Sequence, residues 1–108
     1  MSEVKKLTEK EMDQLPRVHI YGQYSWHEEA YIVGNVEGLI ALRDAINSSI
    51  GQGQAKTEVM TGDGEGYDVH VIQVDSKLID SRLQLPYIDE IARGDPEQSI
   101  QPWDLEER

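Results

Sequence analysis

The chain has 108 residues and no cysteine, and 21 acidic against 10 basic residues leave it a formal net charge of −11. Disulfides, zinc–thiolate sites and thiol catalysis are excluded, while the length suffices for one modest core. The acidity repels phosphate backbones and anionic lipid, so no DNA, RNA or membrane partner is expected, and a basic protein surface is favoured.

The opening MSEVKKLTEKEMDQLP alternates charges and has no apolar stretch of the kind a secretory signal needs. No run approaches the roughly 18 apolar residues of a bilayer span, and the expected location is cytoplasmic. Residues 8–15 predict a short helix: Thr8 caps it, Glu11 is the reciprocal partner and Pro16 stops it. Residues 1–17 therefore read as a helical arm, with four acids balancing four bases.

RVHIYGQY then alternates, with Val18, Ile20, Gly22 and Tyr24 on one face and His19 and Tyr21 on the other. EEAYIVGN follows the polar connection SWHE, so the two segments predict a β-hairpin. Asn35 offers an N-cap, and Glu37 suits the positive end of a helix dipole. The helix GLIALRDAINSSI places Leu39, Leu42, Ala45, Ile46, Ser49 and Ile50 on one stripe and Arg43, Asp44 and Asn47 opposite. GQG at 51–53 ends it.

AKTEVMT and YDVHVIQVD alternate again around GDGEG, a glycine-rich hairpin turn. The expected fold is α+β: an antiparallel sheet of about four strands, in the order ββαββ, with one main amphipathic helix packed on one face. LPYIDEIARG predicts a second short helix, begun by Pro86 and closed by Gly94. Residues 18–94 then form a single domain, and 95–108 an extended acidic tail pinned by Trp103. Within 18–75 there are nine acids against only Arg43 and Lys56, a net of −7.

Catalytic and metal constellations are hard to assemble. His19, His27 and His70 fall singly, although His19 and His70 would converge if the first and fourth strands were neighbours; solvated or core-edge roles are expected, with no metal. A calcium loop starting at Asp63 fails, because its fifth, sixth and twelfth positions are Tyr67, Asp68 and Val74. Ser25 near His27 makes no nucleophile site, and no GxSxG elbow is present. Glu37 opposes a phosphate at the GNVEG helix start. The pairs Glu28–Glu29 and Asp89–Glu90 read as solvated acids rather than a glycosidase pair. No enzyme activity and no cofactor are expected.

The aromatic inventory says more. Phenylalanine is absent, and the five tyrosines and two tryptophans are residues that interfaces favour. At the hairpin tip, Tyr24, Trp26, His27, Glu28 and Glu29 form a candidate partner-binding region; Asp63, Glu65 and Tyr67 form a second. Trp26 has two alternative places, an exposed contact or a lid folded back over the sheet.

The stretch EEAYIVGNVEGLIALRDAI, followed by DGEGYDVHVIQVD, resembles small bacterial and phage proteins of strand–helix–strand design. Its GNxxGLxxLxxAI portion also resembles segments of the immunity proteins that accompany polymorphic toxins. That resemblance implies an acidic binder that occludes a toxin's active surface. The leading expectation is a non-enzymatic inhibitor of a basic protein; the alternative is a protein that sequesters a nucleotide-like small ligand. A homodimer formed over an open strand edge is compatible with either.

Overall fold

A computed structural model describes residues 14–87 and 99–107. Along them run β1 (Val18–Tyr21), β2 (Tyr31–Gly34), α1 (Val36–Gln52), β3 (Gln54–Met60), β4 (Gly66–Ile72), α2 (Ser76–Ser81) and a 3₁₀ helix (Pro102–Glu107). The fold is α+β, built from antiparallel strand pairs and one main helix.

The strands do not merge into one four-stranded sheet. β1 pairs with β2, and β3 with β4, as two separate ladders. They meet at one parallel bridge, Arg17 to Met60, where the Met60 amide donates to the Pro16 carbonyl at 2.9 Å. Proline brings only an acceptor to that junction, which limits what the ladder can gain there.

In the second ladder Ala55, Thr57 and Val59 face Val71, Val69 and Tyr67, while Lys56 and Glu58 stand opposite His70 and Asp68. The first set is the more buried and the second is exposed, as a half-covered ladder requires. Glu58 and Asp68 are like charges in register, and the Lys56 ammonium, 3.9 Å from Asp68, offsets their repulsion.

Helix α1 packs chiefly on β3. Its buried residues are Gly38, Leu42, Ala45 and Ser49, spaced by four, three and four. Leu39, Ile46 and Ile50, predicted on the same inward stripe, are exposed instead. Two strands about 4.8 Å apart make a ribbon too narrow to cover the helix's whole apolar surface. Both predicted ends of α1 are observed. Asn35 caps its start by accepting the Gly38 amide at 2.8 Å; Gly53, at φ 101°, closes it with its amide on the Ser49 carbonyl. That φ is a conformation glycine adopts without penalty.

Among the described residues the buried apolar side chains are Val18, Leu42, Ala45, Val59 and Leu105. Val18 lies against Gly34 and Gly38, and a Cβ on Gly38 would press on the Arg17 carbonyl and a Val18 methyl.

The C-terminal tail differs from expectation, while most of the two predicted short helices lies outside the described residues. Residues 8–13 of the first predicted helix lie outside the described residues, and Gln14 and Leu15 form a turn. Leu85, Pro86 and Tyr87 are irregular, and the rest of the second predicted helix lies outside the described residues. A helix appears earlier, as α2, because the Asp75 carboxylate caps it through the Leu78 amide at 2.9 Å. The tail is not simply extended: Leu83 and Ile100 form a bridge, and the 3₁₀ helix follows. Its anchor is Leu105, 5% exposed, whereas Trp103 is 66% exposed. The smaller side chain needs no polar partner when it is buried, unlike the indole N–H.

Candidate binding surface

The β1–β2 connection runs over residues 22–30, longer than the four-residue SWHE link the sequence predicts. At its tip the Glu28 amide donates to the Ser25 carbonyl at 3.1 Å, so Trp26 and His27 are the central residues of a turn. His27 has φ 69°, a left-handed conformation that is unfavourable for a residue with a Cβ. The Gln23 amide group closes the loop on the Glu28 carbonyl at 2.9 Å.

This turn throws Trp26 outward. Its side chain is 60% exposed, and its ring lies 4.6 Å from that of His27, tilted by 41°. The structure therefore places Trp26 in solvent rather than as a lid. Tyr24, His27, Glu28 and Glu29 are exposed around it. The Tyr31 hydroxyl donates to Glu29 at 2.7 Å, and this bond is the main cause that holds the phenol's pKa above its ordinary value.

The second predicted region is more tied into the fold. In the β3–β4 turn, the Thr61 amide donates to the Glu65 carbonyl and the Gly64 amide to the Thr61 carbonyl. Asp63 is exposed and closes on its own turn: its Oδ1 accepts the Thr61 hydroxyl and, at 3.4 Å, the Glu65 amide. The Thr61 bond, then the Glu65 amide, hold the Asp63 carboxyl below its ordinary pKa. Tyr67 donates its hydroxyl to the Val18 carbonyl at 2.5 Å, locking β4 to β1. Glu65 is exposed.

One residue that sequence reasoning left as a solvated or core-edge side chain joins these parts. The Gly62 amide donates to His19 Nε2 at 2.8 Å, and an amide can only donate, so Nδ1 carries the ring proton. That N–H points to the Tyr21 oxygen, 2.8 Å away, and leaves the Tyr21 proton to face outward. β1 and β4 are not paired strands, so the strand pairing that would bring His19 and His70 together is not found.

Between β1 and the β3–β4 turn lies a groove of about 750 Å³, lined among others by His19, Ile20, Tyr21, Asp63, Glu65 and Tyr67. Among the described residues its walls are largely apolar and aromatic, its charges are two carboxylates, and no lysine or arginine lines it. The groove borders β1, whereas the Trp26 turn lies beyond that strand's end, so the two predicted regions flank β1 without touching in any of the bonds above. Among the described residues no three histidine, aspartate or glutamate side chains are grouped to hold a metal ion. No described helix is long and apolar enough to cross a membrane. Comparison of the chain with protein-family models, curated proteins and solved structures gave no match.

Proposed function

We propose that this chain is a non-enzymatic, acidic binding protein of the cytoplasm whose partner is a basic protein. The carrying observation is Trp26, held 60% exposed on a left-handed turn with Glu28 and Glu29 beside it. An aromatic anchor with an acidic rim suits a partner surface of opposite charge, and such anchors often dominate binding energy. The resemblance of the GNxxGLxxLxxAI stretch to immunity proteins makes the reading concrete: the chain occludes the working surface of a basic toxin of bacterial or phage origin.

The groove beside β1 supports a second reading, a small ligand. Its volume of about 750 Å³ lies in the range of ligand sites. Its aromatic walls suit a flat ring, but Asp63 and Glu65 oppose phosphate, so the fitting ligand is a cationic or neutral aromatic rather than a nucleotide.

Native mass spectrometry of the protein purified at low salt from the cells that make it separates the readings. The first expects a co-purified basic polypeptide that dissociates as salt rises. A small-molecule adduct on the bare chain supports the second, and a bare chain from cells that also make the basic protein overturns the first.

A further inference from the structure

Five apolar side chains of α1 that the fold leaves exposed lie on one stripe. Val36, Leu39, Ile40, Ile46 and Ile50 are all exposed, with Val36 at 62% and Ile50 at 66%. Together with Arg43 and Asn47 they recur at the three- and four-residue spacing of a helix–helix seam. This stripe is distinct from the inward one of Gly38, Leu42, Ala45 and Ser49. Helix α1 is thus apolar on two faces and covered on one.

The stripe is nearly palindromic about Arg43. Val36 and Ile50 stand seven residues on either side of it, Ile40 and Ile46 three, and Leu39 and Asn47 four. A two-fold interface requires such self-complementarity, because each copy presents the same patch to the other. Charge points the same way. Residues 36–52 hold Glu37 and Asp44 against Arg43, a net of −1 in a chain of −11, so two acidic molecules meet here with little repulsion. At the centre, Arg43 is already compensated: its Nε and Nη2 each donate to Asp44 Oδ1 at 3.1 Å.

Area decides between a full interface and a minor contact. Five aliphatic side chains at these exposures present on the order of 400 Å² of apolar surface, within the range where a patch on a monomer is usually functional. A standard interface takes about 800 Å² from each partner, of which roughly 57% is non-polar, or about 450 Å². The stripe supplies that apolar share.

We infer that α1 is the contact between two copies of this chain, packed antiparallel about Arg43 so that Val36 of one copy meets Ile50 of the other and Ile40 meets Ile46. This dimer uses the helix face, not an open strand edge, and leaves the Trp26 turn outside the seam. Arg43 lies near the two-fold axis, where each guanidinium has the Asp44 of both copies within reach. The antiparallel crossing is that of ordinary left-handed helix pairs.

Sedimentation equilibrium of the full chain tests this. The expected result is a concentration-dependent species of twice 12.3 kDa. Ile46→Glu with Ile50→Glu should return it to monomer with an unchanged far-ultraviolet spectrum, because both positions are exposed in the single copy. A monomer at every concentration, covered by its own chain or by nothing, overturns the inference; so does a dimer that survives both glutamates. Should that variant misfold, crosslinking decides, since the chain has no cysteine of its own. With a short thiol crosslinker Arg43→Cys should link to itself and Val36→Cys should not, while mixed Val36→Cys and Ile50→Cys chains should link to each other. Self-linking of Val36→Cys above the level of Lys77→Cys, or failure of Arg43→Cys to link, overturns the antiparallel pairing.

Discussion

Asn35 and Arg17 hold each other twice. The Asn35 amide donates to the Arg17 carbonyl at 3.1 Å, and the Arg17 amide donates back to Asn35 Oδ1 at 2.9 Å. The same Oδ1 caps α1 through Gly38, and Asn35 Nδ2 donates to the Leu15 carbonyl at 2.8 Å. One side chain therefore starts the main helix and fixes the strand entry eighteen residues before it. The carboxamide serves both needs, its oxygen accepting from the Arg17 and Gly38 amides while its nitrogen donates to the Leu15 carbonyl.

Asn35→Ala should accordingly cost more than an ordinary cap. Loss of the cap alone is worth about 1 kcal/mol, and removing the acceptor of the Arg17 amide adds a further part-buried hydrogen bond, for about 2–3 kcal/mol in all. Asn35→Asp keeps both acceptor bonds and loses only the donor to Leu15, so about 1 kcal/mol is expected. Urea unfolding of the two variants checks the order; equal losses would mean that Leu15 carries the whole effect.

Two glycines of α1 should respond oppositely to alanine. Alanine is the better helix former by about 1 kcal/mol. A methyl at Gly51 meets nothing within 4 Å, so Gly51→Ala should stabilise by up to that amount. At Gly38 the methyl would sit against the Arg17 carbonyl and a Val18 methyl, and backbone cannot swing aside as a side-chain end can. Gly38→Ala should destabilise by about 1–3 kcal/mol, the usual range for overpacking. Denaturation midpoints of both variants test the pair.

Asp63 gives a pH dependence of definite sign. The Thr61 hydroxyl, then the Glu65 amide, lower its pKa in the folded chain. A lowered folded-state pKa means that the group's contribution is complete above the unfolded value. That contribution fades as pH falls through the folded one. Acid should therefore loosen the β3–β4 turn below the ordinary aspartate range. Carboxyl resonances followed by NMR should show Asp63 titrating late, and Thr61→Val should move its midpoint upward.

The parts of this fold that rest on neighbouring residues were readable from sequence, and the parts that rest on distant ones were not. Asn35 and the GQG run announced both ends of α1, and GDGEG announced the β3–β4 turn. The placing of the two ladders against each other rests on Met60 meeting Pro16, a contact between segments with no shared pattern. His19 was missed because its partner is the backbone amide of Gly62, which no side-chain type betrays. The inward face of α1 was drawn too wide: Leu42, Ala45 and Ser49 are buried, but Leu39, Ile46 and Ile50 belong to a second apolar stripe that the narrow ladder beneath leaves exposed. Helix α2 was hidden because the alternating run YDVHVIQVD ends on Asp75, which caps the helix that follows and is not a strand position.

The Trp26 turn separates stability from binding. Trp26 is 60% exposed and touches chiefly the neighbouring His27 ring, so Trp26→Ala should change folding stability by no more than about 0.5 kcal/mol. His27→Gly should raise stability by about 0.5–1 kcal/mol. Glycine removes the Cβ penalty at φ 69°, about 1–2 kcal/mol, and its own chain entropy offsets only part of that gain. Both variants keep the acidic rim, yet both disturb the anchor, one by removing the indole and the other by removing the ring beneath it. Binding to the basic partner should fall at least tenfold for Trp26→Ala and by less for His27→Gly, read by calorimetry alongside urea unfolding. Loss of folding in Trp26→Ala would place the indole in the core, whereas unchanged affinity would move the contact surface away from this turn.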